Sequence, residues 1–312
     1  MKRTVFPGIL TVIIVFFFIS AGVTSSWSSS LPDDVQKDNH PAEGSLNPRL
    51  SHILENINMS LVSGYLEDIV AIGPRPNERI GGEQAAAYIV EQFESMGLIT
   101  YTQPWQSVGN RGHPGTYSGH NVVGELPGTN AADNAIFIFN AHYDTVRNTP
   151  GADDDASGVA AVLAAAHVLS QYRFSNTFKF IAFSGEEVGL LGSHCYASRA
   201  YDNAEAIAVE FNADMIGHGS GVNASRFRIY GTEDAAWVLE NISSLNENAS
   251  LNFTLTTGLL IEATQVEATI HPLPTMGTRL WHFSNTNGIR ICIRQRMTWI
   301  MSIFPILSTR PG

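Results

Sequence analysis

The sequence has few charged residues and very few cysteines, and each shortage excludes a class of protein. Only 15% of the 312 residues are charged whereas 44% are hydrophobic, which excludes an intrinsically disordered chain. Lys and Arg number 18 against 29 Asp and Glu, giving a net charge of −11, so a nucleic-acid binder with a basic surface is excluded. Two cysteines, Cys195 and Cys292, cannot supply a disulfide framework.

The N-terminus has the pattern of an export signal. A basic start precedes an apolar run from Ile9 to Ile19, and small residues follow it. Because the run is shorter than the roughly 20 residues of a membrane-spanning helix, we interpret residues 1–26 as a signal peptide, with an uncleaved signal anchor as the alternative. Residues 27–50 are rich in Ser, Asp and Pro and predict a polar linker. The sequence therefore predicts a secreted or cell-surface protein.

Residues 51–258 alternate between apolar strands and helices. The predicted strands are 121–126, 135–141, 178–183 and 206–211, and the predicted helices are 83–96 and 158–169. Strand–helix–strand order with nearly continuous apolar strands is typical of parallel sheets covered on both faces. The predicted fold is therefore an α/β three-layer sandwich, in which helices cover both faces of a central, largely parallel mixed sheet.

Acidic and imidazole side chains follow three successive predicted strands. They are His142 with Asp144, then Glu186 with Glu187, and then Asp214, while the triplet Asp153 to Asp155 opens the helix between the first two strands. Taken singly, each is more often a solvated turn or a helix cap. Together they would meet at one edge of the sheet and repel each other unless a cation lay among them. Imidazole with several carboxylates is a zinc-like ligand set and indicates a two-metal site.

Five motifs between about residues 60 and 258 carry a family resemblance. They are NVVGELPGT, AHYDTV, PGADDDASGVA, FSGEEVGLLGS and NADMIG. In order and spacing the sequence resembles the secreted di-zinc aminopeptidases, metallopeptidases related to bacterial leucyl aminopeptidase, aminopeptidase Y and glutamate carboxypeptidase. The resemblance implies two zinc ions, of which His142 and Asp214 would bind the first. Asp154 would bridge both ions, and Glu187 would bind the second.

The resemblance also implies how the site would work. Glu186 would be the general base, which takes a proton from a metal-bound water and passes it to the leaving amine. Asp144 would accept the far N–H of the His142 imidazole and so fix its tautomer. Asp153 and Asp155 have no implied role, and we expect them to be a helix cap and solvated surface.

The predicted function is that of an exported zinc-dependent aminopeptidase acting on peptides. Two alternatives are a carboxypeptidase or dipeptidase with the same site, and an inactive or truncated pseudo-peptidase ectodomain used for binding. A binding domain is expected to lose ligands across the whole site, whereas here the losses are confined to the C-terminal end. Nucleic acid is not an expected partner, and a membrane would be contacted only through an uncleaved N-terminal anchor.

The last 54 residues, 259–312, depart from the family pattern. They contain five Arg but no Lys and no Asp. The family has an H-T-x-x-D-like segment near its C-terminus, whose His completes the second zinc site, and this tail has none. As written, the tail is also expected to deprive the sheet of its last strand.

The genetic code indicates that this tail is out of frame. Joining the third base of each codon to the first two bases of the next makes Met297–Thr298 and Trp299–Ile300 each encode Asp. The same shift allows only His or Tyr at Cys292–Ile293, and it permits the sequence H-T-P-K-D-D-M-D from there. Because the shifted frame permits the family segment and forces two Asp residues just after it, we predict a shifted reading frame that begins near 258–260.

Sequencing codons 250 to 312 from an independent template tests this prediction. We expect one missing or extra base near codon 259, because a single shift restores the absent H-T-x-x-D-like segment. An unshifted sequence would contradict the prediction and would favour the truncated pseudo-peptidase.

Overall fold

Helices and strands alternate along most of the chain. The computed structural model describes residues 52–53, 55–77, 79–109, 112–130, 135–218, 226–231, 236–248, 254–259 and 289–295. The helices are α1 (Met59–Ala71), α2 (Ile80–Ser95), α3 (Ala156–Leu169), α4 (Leu191–Asp202) and α5 (Ala236–Asn248). The strands are β1 (Ile99–Val108), β2 (Thr116–Leu126), β3 (Ile136–His142), β4 (Thr177–Phe183), β5 (Ile207–Ala213), β6 (Arg226–Gly231), β7 (Thr254–Leu259) and β8 (Ile289–Gln295).

The described strands form one mixed sheet in the order β1-β2-β4-β3-β5-β8-β6-β7. At its centre β3 pairs in parallel with both β4 and β5, and β5 pairs in parallel with β8. Antiparallel pairing joins β1 to β2, β2 to β4 and β6 to β8. The parallel centre matters for function, because it brings the carboxyl ends of β3, β4 and β5 to the same edge.

Helices cover both faces of the central strands. Every residue of β3 and of β4 is buried, as expected for parallel strands enclosed on two sides. One face packs against α1, α2 and the Ala-rich α3 through the rings of Phe137, Phe139, Phe178 and Phe180. The other face packs against α4 through Ile138, Ile181, Tyr196 and Ala200. The predicted α/β three-layer architecture is therefore confirmed.

Neither α1 nor β1 is predicted from the sequence, and β2 begins earlier than predicted, at Thr116. The β1 strand is exposed over most of its length and contains Pro104, so it lacks the apolar run that identified the central strands. The first half of β2 is also polar and forms a strand because it pairs with β1. In α1 only Val62, Tyr65 and Ile69 are buried, which is too sparse a pattern to stand out in the sequence.

The tail does supply a strand, which corrects one expectation. The β8 strand lies between β5 and β6, and its register sets Cys292 opposite Asn212. Any short β-branched run can occupy such a position, and the sequence IRICIRQ is one, so this pairing does not test the reading frame.

The predicted N-terminal segments, 1–26 and 27–50, lie outside the described residues. Among the helices that are described, none combines the length and the apolar character that a bilayer crossing requires.

Enlarging a buried alanine of α3 tests how tightly this helix packs on the sheet. Ala164 is fully buried, so Ala164→Leu is expected to lower the free energy of unfolding by about 1–3 kcal/mol through overpacking. Ala87 of α2 is exposed, and Ala87→Leu is expected to change the free energy of unfolding by less than about 0.5 kcal/mol. Urea denaturation measures both, and equal stabilities for the two variants would contradict the close packing of α3.

Candidate metal centre

The predicted site residues meet at the carboxyl edge of the central strands. His142 is the last residue of β3, and its partner in the neighbouring β4 is Phe183, after which Glu186 and Glu187 follow. Asp214 directly follows β5, on the other side of β3. The peptide bond between Asp154 and Asp155 is cis, and Asp155 is the N-cap of α3. Strand direction and one helix start therefore bring residues far apart in sequence together.

Three of these side chains form a compact group. One potential ligand atom from each of His142, Asp154 and Asp214 lies within 4.8 Å of the other two. The imidazole Nε2 is 3.1 Å from Oδ1 of Asp154. His142 and Asp214 are buried, whereas the side chain of Asp154 is 46% exposed. The group is therefore anchored in the protein on one side and accessible from solvent on the other.

Asp144 joins the loops that follow β3 and β4. Its carboxylate accepts hydrogen bonds from the backbone N–H of Glu186 at 3.1 Å and of Glu187 at 3.2 Å. The Nδ1 atom of His142 lies 3.0 Å from the carbonyl oxygen of Asp144 and 3.7 Å from its carboxylate. The imidazole is thus oriented mainly by the Asp144 backbone rather than by the carboxylate that the sequence analysis proposed, because that carboxylate binds the two amides.

Glu187 lies beside the three-residue group and is not part of it. Its Oε1 accepts a hydrogen bond from the backbone N–H of Val146 at 3.0 Å. The turn that carries both glutamates begins at Gly185, whose φ of +73° and close approach to the Trp105 ring exclude a side chain: a Cβ would lie 2.6 Å from that ring. Trp105 also donates its indole N–H to Oγ of Ser184 at 2.9 Å, which fixes the start of the turn.

Asp155 is fully buried. From the sequence, the two aspartates on either side of Asp154 were expected to be a helix cap and solvated surface. Oδ1 of Asp155 accepts from the N–H of Gly158 at 3.0 Å, which makes it the cap of α3, and from Met215 at 3.2 Å. Its Oδ2 accepts from the N–H of His142 at 3.2 Å. One carboxylate therefore binds three backbone segments. Asp153 is not solvated surface either, because its Oδ1 accepts from the N–H of Gly217 at 2.8 Å.

Burial and crowding shift the proton affinities of the site. Burial raises the pKa of Glu186 and, assisted by the Asp154 and Glu186 charges, raises that of Glu187 to about 7. Burial also raises the pKa of Asp155 well above its usual value. Burial alone would lower the pKa of His142, but the Asp144 and Asp154 carboxylates next to its two ring nitrogens raise that pKa well above 6.5. The ionised forms of these three carboxylates are therefore destabilised by burial, and a bound cation would stabilise them.

The donor set fits a zinc-type ion. One imidazole nitrogen and two carboxylate oxygens converge from three different loops, and these are ligand types that zinc accepts. His142 presents Nε2 to the group because its Nδ1–H donates to the Asp144 carbonyl.

The sequence analysis misses Arg75, a fully buried arginine next to the site. Burial lowers its pKa to about 10, while the negative charges of Asp155 and Asp144 act in the opposite direction. Its only sequence signal is its position between two prolines, in Gly-Pro-Arg-Pro, in a chain with few basic residues. Nothing in the sequence places this segment next to the strand ends, since α1 and the loop that follows it carry no site motif.

A model of a known protein family matches the central part of the chain. Residues 121–258 match the family model described as Peptidase family M28. The matched residues include the whole three-residue group and both glutamates. The resemblance to metallopeptidases predicted from the motifs is therefore confirmed.

Two of the curated relatives are named as aminopeptidases, and each is longer than the part that matches this chain. Aminopeptidase YwaD of Bacillus subtilis (strain 168) is 38% identical over 98 residues, which is 31% of this chain and 22% of the relative. Leucine aminopeptidase 1 of Paracoccidioides brasiliensis (strain Pb03) is 25% identical over 219 residues, which is 66% of this chain and 55% of the relative. The chain thus spans about half, or less, of the length of these relatives.

Solved structures share the fold. LapB from Legionella pneumophila superposes with a TM-score of 0.61 at 18% identity, over 84% of this chain and 69% of that one. The zinc aminopeptidase BSAP from Bacillus subtilis superposes with a TM-score of 0.59 at 16% identity, over 76% of this chain and 85% of that one. The α/β arrangement of sheet and helices is therefore common to this chain and those proteins.

Replacing Asp155 tests its role as the buried acceptor that joins three segments. Asp155→Asn keeps Oδ1 but turns an NH₂ group toward the His142 N–H, and one unsatisfied donor is expected to cost about 1–3 kcal/mol in the free energy of unfolding. Asp155→Ala is expected to cost more, because all three N–H groups lose their acceptor. Asp202 is exposed at the end of α4, so Asp202→Asn is the matched control. Urea denaturation without added metal measures these effects, and wild-type stability in Asp155→Asn would contradict this role.

Proposed function

We propose that this M28 peptidase domain acts as an exported zinc-dependent aminopeptidase. The observation that carries the proposal is the convergence of His142, Asp154 and Asp214 at the open edge of the sheet, with two glutamates beside them. The aminopeptidase names of the curated relatives support the choice of substrate class, which is peptides with a free N-terminus. Residues 1–26 are proposed to direct export, so the enzyme acts outside the cytoplasm or at the cell surface.

The ligands of the proposed metals come from the three strand ends and from the start of α3. His142 and Asp214 would hold one zinc ion, Glu187 would hold a second, and Asp154 would contribute to both positions. Zinc bound here supplies an acidified water and a polarised substrate carbonyl. Glu187 accepts from the Val146 N–H through Oε1, which leaves its other carboxylate oxygen, Oε2, to bind metal.

The residues of the chain supply orientation and proton transfer. The Asp144 carboxylate holds the backbone of Glu186 and Glu187, so the two side chains leave the same turn in different directions. Glu186 accepts the proton of the attacking water on its carboxylate and then donates it to the nitrogen of the leaving amine. Burial raises the pKa of Glu186, which makes it a better proton acceptor than an exposed glutamate.

The second metal position lacks a ligand in the sequence as written. We propose that the missing His is encoded in the other reading frame of the tail, so the natural chain completes this position. A chain that truly ends in 259–312 as written would hold the second ion with Asp154 and Glu187 alone. Such a chain would bind one zinc ion tightly and the other weakly, and the inactive pseudo-peptidase would then be the better description.

Replacing the proposed base tests the function on protein expressed from a sequence-verified gene. Glu186→Gln removes the proton acceptor and keeps the size of the side chain, so kcat for leucine p-nitroanilide is expected to fall by about 10²–10⁴-fold. Its zinc content, measured by atomic absorption, is expected to equal that of wild type. Glu94 is exposed on α2, and Glu94→Gln is the matched control with unchanged kcat.

Two further measurements separate the competing functions. Wild-type activity is expected to disappear with a chelator and to return with added zinc, and N-acetyl-leucine p-nitroanilide is expected to be inert. Hydrolysis of a blocked peptide from its C-terminus would contradict the aminopeptidase and favour the carboxypeptidase. A wild-type protein that binds zinc but hydrolyses neither leucine p-nitroanilide nor the blocked peptide would favour the binding domain.

A further inference from the structure

Arg75 links the end of α1 to the loop that carries the metal ligands. Its side chain is fully buried, and all of the hydrogen bonds that it makes through the guanidinium go to backbone carbonyl oxygens. These acceptors are Tyr143 (from Nε, 2.8 Å), Pro150 (from Nη1, 2.6 Å), Gly151 (from Nη2, 3.2 Å), Gly73 (from Nη1, 3.1 Å) and Ile69 (from Nη1, 3.4 Å).

The two ends of the ligand loop meet at this one side chain. Tyr143 is adjacent to His142, and Gly151 lies three residues before Asp154. The guanidinium therefore holds together the points at which the chain leaves one proposed ligand and approaches the next. The backbone of Arg75 adds to this, because its N–H donates to Oγ1 of Thr145 at 2.9 Å and its carbonyl accepts from the Thr145 N–H at 3.2 Å.

The packing around the guanidinium leaves little freedom for the loop. Gly151 has a φ of +51°, and a Cβ there would lie 3.1 Å from Nη2 of Arg75 and 2.2 Å from the carbonyl oxygen of Asp154. The close approach of these backbones thus requires glycine. A planar fork of donors can bind carbonyls on several sides at once, which the single ammonium group of lysine cannot do.

Burying a cation costs desolvation free energy, and the hydrogen-bond acceptors of Arg75 are neutral carbonyl groups rather than a carboxylate. The nearby negative charges are those of Asp144 and Asp155, the two carboxylates that organise the metal-binding loops. Its positive charge interacts favourably with these two carboxylates and so offsets part of their mutual repulsion. Packing alone would be achieved at lower cost by an apolar side chain of similar volume.

We infer that Arg75 is a positioning residue that sets the separation of His142 and Asp154 before metal binds. It acts through the backbone of residues 143–151 and touches neither substrate nor metal. The inference rests on the proposed function only in taking a divalent metal as the ligand of the group. This inference predicts that the ligands are already in position in the metal-free protein. Removing the guanidinium of Arg75 is then expected to make residues 143–151 more mobile.

The test compares Arg75→Lys with a matched control, Lys179→Met. Arg75→Lys keeps the charge and loses the fork. Lys179 is also buried, on β4, and its ion pair with Glu205 is 2.6 Å long, so its replacement removes a buried cationic contact away from the ligand loop. The readouts are the dissociation constant for Zn²⁺ by chelator competition, the visible absorption of bound Co²⁺, and amide hydrogen exchange of the metal-free protein.

In Arg75→Lys we expect Zn²⁺ to bind about 10-fold more weakly or worse, with a changed Co²⁺ spectrum. Amides of residues 143–151 are expected to exchange faster in the metal-free variant, while those of α3 keep the wild-type rate. Lys179→Met is expected to keep the wild-type affinity and spectrum. Equal metal affinity in Arg75→Lys and wild type, or equal losses in both variants, would overturn the inference.

A second variant tests the inference if the first one does not fold, and a separate result would refute the proposed function alone. If Arg75→Lys does not fold, Thr145→Val removes the hydroxyl that accepts from the Arg75 N–H at 2.9 Å and donates to the Thr149 carbonyl at 3.3 Å. This variant is expected to weaken Zn²⁺ binding in the same direction with a smaller effect. Wild-type affinity in Thr145→Val would then count against the inference. Failure of the wild-type protein to bind Zn²⁺ would refute the proposed function instead, and the hydrogen-exchange comparison, which needs no metal, would still test Arg75.

Discussion

The structure has to keep several carboxylates and an imidazole close together in a place with little water. Like charges at such distances repel strongly at low dielectric, so each buried carboxylate needs donors or a cation. Asp155 accepts three backbone N–H groups, and Asp144 accepts two. The buried cation Arg75 supports the loop between them. Under the proposed function, metal ions provide the remaining positive charge.

This requirement explains why particular backbone segments approach each other so closely. The first turn of α3 has to reach the end of β5, so that Asp154 can meet Asp214. At Gly158 a Cβ would lie 2.4 Å from the carbonyl oxygen of Ala213 and 2.5 Å from Oδ2 of Asp155. Glycine is therefore needed where the helix start, its capping carboxylate and the neighbouring strand converge. The small side chains of α3 serve the same end, because they let the helix lie close to the sheet.

The sequence allows the central fold and most of the candidate site to be predicted, because both follow from simple rules. Apolar strands identify a parallel sheet, and parallel strands place His142, Glu186 and Asp214 at one edge. The roles of Asp155 and Arg75 could not be predicted in this way. Their partners are backbone groups of distant segments, which leave no residue pattern. The edge strand β1 was missed for a related reason, since it forms by pairing with β2 rather than by burying an apolar run.

If the tail is out of frame, as predicted, it meets the needs of a sheet and of a metal site to different degrees. A central strand requires backbone donors, backbone acceptors and a β-branched run, so IRICIRQ can pair with β5 in register. A metal ligand requires a donor side chain at one position in space, and a strand that pairs through its backbone does not by itself supply one. Gradual drift toward a binding role would remove ligands throughout the site, yet the strand-end residues are intact. A loss confined to one contiguous segment is what a single shift of frame produces.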